Sequence, residues 1–155
     1  MIDFDQRLEE ALKRRAAMQA PPQFTAAVTR LVMRETASKK EAGPFLARAA
    51  WLNDAAFVEC AQALARRVAA SPAPSRGQQL RDVFRRCLTR EPSAAELGRL
   101  DRLFADALQV CRCDRHAAAK LIGGESPAGV DAAEAAAWVV LARAVMNLDE
   151  FVTRE

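Results

Sequence analysis

Apolar residues recur along this chain with the period of an α-helix. In the clearest segment, the apolar residues Leu80, Val83, Phe84, Cys87 and Leu88 are spaced so that each has another three or four residues away, and they would form one stripe. Similar stripes recur along the rest of the chain. No segment alternates apolar and polar residues as a half-buried strand does, and no internal repeat is present. The pattern predicts an all-α protein.

Helix boundaries are marked by capping and breaking residues. Three segments match a capping box, in which an Asp or Ser side chain at the N-cap is paired with a Glu or Gln three residues later. They are Asp3–Gln6, Ser93–Glu96 and Asp131–Glu134. Breaks are predicted at Pro21-Pro22, Gly43-Pro44, 71–75, 89–92 and Gly123-Gly124. We therefore expect a multi-helix bundle of about five to six helices in residues 43–155, preceded by an amphipathic helical hairpin in residues 1–42.

Composition supports the helical prediction. The apolar fraction is 51%, much of it alanine, whereas Tyr is absent and aromatic residues make up only 6%. Alanine is the best helix former, and β-branched and aromatic residues, which favour strands, are sparse. A chain of 155 residues is long enough to bury a core without disulfides or metals.

Charge and hydropathy limit the compartment and the partners. The 23 basic and 20 acidic residues leave a net charge of +3, which is weak for a dedicated nucleic-acid binder. No apolar run is long enough to span a membrane, and the charged N-terminal segment lacks the apolar region of a secretory signal. We therefore expect a cytoplasmic chain, with its four cysteines mostly reduced.

Three segments resemble one known family. They read WLNDAAFVECAQALARRV, LRDVFRRCLTREPSAAEL and AAAWVVLARAVMNLDEFVTRE. In composition, order and spacing they are similar to the C-terminal domain of unknown function of large planctomycete cytochrome-c-type surface proteins, over residues of about 45–155. The resemblance implies export, so the periplasm is the alternative compartment, and it implies no settled activity. It marks the following motif residues, which we interpret as structural: Asn53, Asp54, Pro92, Glu96, Trp138, Asn147, Asp149, Glu150 and Phe151.

Residues 1–42 do not resemble that family. The segment RLEEALKRRAAMQAPPQFTAAVTRLV is faintly similar to the helical start of some bacterial anti-sigma regulators, in which a Pro-Pro-X-Phe sequence opens a second helix. The zinc-binding His and Cys residues of many such regulators are missing. This similarity implies a regulatory role as an alternative function.

Cys111, Cys113 and His116 are the strongest candidates for a metal site. Thiolate and imidazole bind zinc, but a structural zinc site takes four ligands, and Cys60 or Cys87 would have to supply the fourth. Cys87 and Cys111 lie on apolar stripes, where free cysteine packs as a small apolar residue. We therefore predict no metal and no cofactor. A reactive thiol at Cys113, beside basic neighbours, stays open as a less favoured alternative.

Two polar groupings have both structural and functional interpretations. The first comprises Asn53, Asp54, Asn147, Asp149 and Glu150, whose oxygens could hold calcium but whose residue types favour helix capping. The second is an arginine-rich region that could contact phosphates but has no interleaved aromatic residues. Its members are Arg66, Arg67, Arg76, Arg81, Arg85, Arg86 and Arg90. We interpret the first as caps and the second as solvated helix faces.

Neither grouping assembles a catalytic set, so we predict that the chain is not an enzyme. The favoured function is a helical protein-interaction or scaffold module that binds another protein or a second copy of itself. The alternative is an anti-sigma-like or nucleic-acid-linked regulatory factor. The predicted partner-binding residues lie on the two apolar faces of the N-terminal hairpin: Phe4, Leu8, Leu12, Phe24, Val28 and Leu31.

Overall fold

A computed structural model describes residues 22–36, 55–72, 75–148 and 151, with only the backbone for residues 32–36. These residues form six α-helices, and no strand occurs among them. The helices are α1 (Pro22–Thr36), α2 (Ala55–Ala69), α3 (Arg76–Leu88), α4 (Ala94–Cys113), α5 (Arg115–Ile122) and α6 (Ala132–Met146). The predicted all-α fold is confirmed. None of the described helices is both long and apolar enough to cross a membrane.

Helix α6 forms the centre of the bundle, and each of the other five helices packs against it. Its residues from Ala135 to Met146 are all buried, with Trp138 and Leu141 at 1% and 0% exposure. A helix that is apolar on every side must be buried on every side. The spacing of Trp138, Leu141, Val145 and Leu148 predicts one inward face for this segment. The buried surface is larger than one face because the alanines between these residues also face neighbouring helices, which their small side chains allow to approach closely.

Helix α1 packs on α4 and α6 and belongs to the same core. Phe24 and Val28 are 6% and 1% exposed, and Leu31 packs against the core from its edge. The division into a hairpin of residues 1–42 and a bundle of residues 43–155 remains a prediction. Within the described residues, however, α1 is joined to the bundle by buried apolar contacts.

The predicted caps form in most places, with one difference in geometry. Ser93 and Glu96 make the complete capping box at the start of α4. Asp131 caps α6 by accepting a hydrogen bond from the Ala133 N–H at 2.9 Å, so the reciprocal box predicted with Glu134 is not formed. Asp114 and Ser75 also cap helices α5 and α3, which the sequence analysis did not predict. The Asp3–Gln6 box lies outside the described residues.

Helix α5 is held to α2 by polar side chains at its C-terminal end. Gln62 Nε2 donates a hydrogen bond to the Leu121 carbonyl at 2.9 Å, and Arg66 Nη1 donates one to the Ile122 carbonyl at 3.1 Å. These carbonyls lack partners within their own helix, so α2 supplies the missing donors. Gly123 ends α5 with φ at +70°, in the left-handed conformation predicted for this glycine stop.

Candidate functional site

The connection between α3 and α4 is the most completely built polar site in the described residues. Thr89 ends α3 with φ at +59°, and its N–H donates to the Arg85 carbonyl at 2.8 Å. The Arg90 guanidinium then lies over the Phe84 ring, 4.8 Å from its centroid. Such a cation–π contact places the apolar side of the guanidinium against the core edge. We refer to residues 88–96 as the α3–α4 hinge.

Glu96 joins both sides of this hinge. It accepts two hydrogen bonds from Arg90, at 2.8 and 3.1 Å, and a third from the Ser93 N–H at 2.7 Å. The hydrogen bond from Arg90 is the main cause that lowers the pKa of the Glu96 carboxyl to about 2, and the bonds from Ser93 lower it further. Glu96 is therefore ionised at neutral pH and is committed to structure. The motif residues Pro92 and Glu96 both belong to this hinge, where Pro92 is buried.

The arginine-rich region is largely paired with carboxylates. Arg76 contacts Asp101 at 3.3 Å, Arg85 contacts Glu91 at 3.0 Å, and Arg86 contacts Asp82 at 2.9 Å. These three pairs lie on an exposed surface, where an ion pair typically contributes about 0–1 kcal/mol. The fourth pair, Arg90–Glu96, is more enclosed, since the Glu96 side chain is 23% exposed. Of the seven arginines named from the sequence, Arg66 binds α5. Arg67 and Arg81 have no ion-pair partner in the part of the chain that the structure describes.

An aromatic pair connects this surface to the interior. The Phe104 and Trp138 ring centroids are 4.4 Å apart at an angle of 46°, and the Arg76 guanidinium lies 5.4 Å from the Phe104 centroid. The Trp138 Nε1–H is buried and has no acceptor among the described residues. A buried donor without an acceptor usually costs about 1–3 kcal/mol. The motif residue Trp138 is thus a core residue that stabilises the fold through the packing of its ring and not through a hydrogen bond from its N–H.

The three residues considered as candidate metal ligands differ in burial. Cys111 is fully buried, whereas Cys113 and His116 are exposed at the junction of α4 and α5. Burial raises the pKa of the Cys111 thiol to about 12 and that of the Cys87 thiol to about 11, so both stay protonated at neutral pH. Within the described ranges, no three His, Cys, Asp or Glu residues are arranged to hold a metal ion.

The polar grouping predicted to consist of caps is described only at Asn147. This residue ends α6, is 7% exposed, and donates its N–H to the Arg143 carbonyl at 3.1 Å. Its other members, Asn53, Asp54, Asp149 and Glu150, lie outside the described residues. Phe57 in the first turn of α2 and Phe151 after α6 pack edge to face, with centroids 6.4 Å apart. The choice between capping and calcium binding therefore stays a prediction.

Arg143 is the buried polar residue that the sequence analysis missed. It is 6% exposed in the last turn of the central helix, and this burial lowers the pKa of its guanidinium. A signal was available. Apart from Arg143, residues 135–146 are apolar on every side, so an arginine among them is expected to be buried. Arg143 also lies four residues before Asn147, so the two share one side of α6.

The predicted partner-binding residues divide into two sets. Phe4, Leu8 and Leu12 lie outside the described residues. The others, Phe24, Val28 and Leu31, pack in or against the core beneath α1. Binding of a partner through this second set would require α1 to leave α4 and α6, and it stays an untested prediction.

Five helices packed around a central buried helix make the described part of the chain an all-α bundle. The model of the family described as PSD1, protein of unknown function (DUF1553), matches residues 5–104, which is more than half of the chain. The chain therefore belongs to this family of unknown function. A search of curated proteins and a search of solved structures found no significant match.

The matched range differs from the resemblance predicted from the sequence. That resemblance covered residues of about 45–155 and left out residues 1–42, whereas the family model begins at residue 5 and ends within α4. Two of the three motif segments, in α2 and in α3 with the hinge, fall inside the match. The third segment, which contains α6, falls outside it.

Proposed function

We propose that this chain is a non-catalytic helical module that binds another protein or a second copy of itself. The main support comes from the interior. Helix α6 fills the centre of the bundle with apolar side chains, and the only buried polar or charged side chains among the described residues are Arg143 and Asn147. A catalytic site needs several polar groups converging on a substrate-sized cleft. The described interior offers a packed core in that place.

The residues that most often carry chemistry support the same proposal. Cys87 and Cys111 are buried protonated thiols, because burial raises both pKa values. Glu96 is held ionised by Arg90. Gln62 and Arg66 serve as donors to the end of α5. Each of these side chains contributes to packing, capping or pairing, which is the pattern of a structural module.

A nucleic-acid-linked or anti-sigma-like role has weaker support. Four of the exposed arginines already contact carboxylates of the same chain, which reduces the positive potential available to phosphates. An electrophoretic shift series at rising salt distinguishes this role, because phosphate contacts weaken steeply as salt increases. Binding of duplex or single-stranded nucleic acid at physiological salt would favour the regulatory role over the proposed one.

Two measurements test the proposed module. Light scattering coupled to size exclusion, over a range of concentrations, reports self-association. For other partners, a photo-reactive amino acid is placed in separate full-length variants at Leu8, at Ala63 on α2 and at Ala105 on α4, and crosslinking is carried out in cells. We expect either a concentration-dependent dimer or a discrete adduct from one site and not from the others.

A matched pair of variants then tests the predicted N-terminal face. The double substitution Leu8→Ser and Leu12→Ser is expected to abolish an adduct formed at that face. Ala63→Ser, on the exposed side of α2, serves as the control. A chain that remains monomeric at all concentrations and yields no discrete adduct from any site would contradict the proposal.

A further inference from the structure

The outer face of α3 consists of arginine and glutamine. Its exposed positions are Arg76, Gln78, Arg81, Arg85 and Arg86. The helix contains four arginines and one acidic residue, Asp82, so it carries a net charge of +3, equal to that of the whole chain. The net charge of α3 is thus as large as that of the whole chain. All of its basic residues are arginines. Arginine differs from lysine in presenting a planar set of donors suited to carboxylates and phosphates.

Three of these residues form a straight row. Gln78, Arg81 and Arg85 are spaced by three and four residues, so they neighbour one another on the side of α3 that faces away from Leu80, Val83 and Phe84. We refer to them as the α3 arginine row. Arg81 has no hydrogen-bond or ion-pair partner in the described part of the chain. Arg85 has one contact with a carboxylate, at Glu91.

Both guanidinium groups are available to a partner. The Arg85 side chain is 55% exposed and its partner Glu91 is 58% exposed, so water screens their interaction and it is readily exchanged for another carboxylate. Arg86 is less available because Asp82, four residues before it, holds it along the helix. Arg81 and Arg85 are therefore the two anchors, separated by one turn of α3.

We propose that the α3 arginine row binds an acidic polypeptide segment that presents carboxylates one helical turn apart. This inference rests on the proposed protein-binding function and identifies the chemistry of the partner. Each guanidinium can donate two parallel hydrogen bonds to one carboxylate, and the Gln78 amide adds a donor and an acceptor at the end of the row. A spacing of one turn on both sides brings the charged groups together in pairs.

The same surface disfavours a nucleic acid. Asp82 and Glu91 flank the row and would stand close to the densely spaced phosphates of a duplex. No exposed aromatic side chain occurs among the described residues, so none can stack with unpaired bases there. A polypeptide with separated carboxylates can engage Arg81 and Arg85 while its neutral residues lie beside these acids.

The experiment measures binding of fluorescent probes to the full-length chain by anisotropy at physiological salt. The first probe is an alanine-based helical peptide of about 15–20 residues with glutamates four residues apart. The second has the same composition with glutamates two residues apart, and the third is a short DNA duplex. The variant is Arg81→Gln with Arg85→Gln. The control is Arg99→Gln with Arg102→Gln, which removes the same charge from another exposed pair on α4.

We expect the first peptide to bind more tightly than the other two probes. Its affinity should fall about tenfold in the α3 variant and less than twofold in the α4 control. Equal losses in both variants, equal binding of the two peptides, tighter binding of the duplex, or no binding of the first peptide would each overturn the proposal. If a discrete cellular adduct forms but does not depend on Arg81 and Arg85, this inference fails and the proposed function stands.

Discussion

Helix α6 and the α3–α4 hinge are stabilised by different forces. In α6, residues 135–146 are buried and almost all apolar. In the hinge, Arg90 and Glu96 form an ion pair at the surface, beside a buried Pro92 and a capping box. The free energy of burying α6 depends on apolar area and shape, whereas that of the hinge depends on charge and on backbone geometry.

Substitutions in the two regions should differ in how far their effects extend. Helix α6 contacts every other helix, so a change there affects the whole bundle. The hinge determines where α3 ends and how α4 begins, so a change there has a local effect. Large effects on stability are therefore expected in α6, intermediate ones where helices are joined by polar groups, and the smallest ones at exposed side chains.

Trp138→Ala should produce the largest effect. The substitution removes a ring packed on Phe104 and leaves a cavity around the central helix, so the free energy of unfolding should fall by about 3–5 kcal/mol. Urea unfolding followed by circular dichroism measures it. Trp138→Phe keeps most of the ring and removes the buried N–H that has no acceptor among the described residues, and it should cost clearly less. Equal losses in the two variants would contradict this account of α6.

Gly123→Ala should give the next largest effect. Gly123 has φ at +70°, and an added methyl group would collide with the Gln62 side-chain amide that binds the end of α5. We expect a loss of about 1–2 kcal/mol in thermal or urea unfolding. Gly124→Ala is the matched control, because no atom lies within 4 Å of a Cβ added there. If both substitutions cost the same, the Gln62 contact does not determine this junction.

Glu96→Gln tests the electrostatic side of the comparison. We expect a loss of about 1–2 kcal/mol at neutral pH, since the charged bonds to Arg90 and Ser93 are weakened. The exposed pair Arg85–Glu91 provides the control, and Glu91→Gln should change stability by about 0.5 kcal/mol or less. A larger loss for Glu91→Gln would reverse the ranking of the two ion pairs.

A comparison of the natural chain with Glu96→Gln also gives a prediction for the pH dependence of stability. The Glu96 pKa is lowered to about 2 in the folded chain, from an ordinary value of 4.5. Its contribution is therefore complete above the ordinary value and is lost as pH falls toward 2. The difference in stability between the natural chain and Glu96→Gln should shrink over this range in urea titrations. A difference that stays constant from pH 7 to pH 3 would mean that the carboxylate charge is not what stabilises the hinge.

The cysteines should show the smallest effects on stability and a clear contrast in solvent access, which thiol labelling measures. Cys60 and Cys113 are exposed, so iodoacetamide should modify them in the folded chain. Cys87 and Cys111 are buried with raised pKa values and should react only after unfolding. Mass spectrometry of labelled peptides measures this. Cys113→Ser should alter stability by less than about 0.5 kcal/mol, and rapid labelling of Cys111 in the folded chain would contradict the buried position.

The sequence predicted much of the local structure correctly, because helix signals are local. The stripe from Leu80 to Leu88, the Ser93–Glu96 box and the Gly123 stop all follow from neighbouring residues. The Asp131 cap was placed correctly, but its hydrogen bond goes to Ala133, a difference of one residue that depends on local backbone angles. The Arg76–Asp101 ion pair and the Phe57–Phe151 contact join residues whose proximity depends on how the helices pack. The Arg86–Asp82 pair, by contrast, lies within one helix.

The sequence alone determined the all-α class and most of the helix ends, because each of these depends on residues that are about one helical turn apart. Only the tertiary structure decided that α6 is central and that each of the other described helices packs against it. It also placed α1 against α4 and α6, so that Phe24 and Val28 lie in the core. Burial depends on which faces of distant helices meet, and the period of apolar residues within one helix does not specify its neighbours.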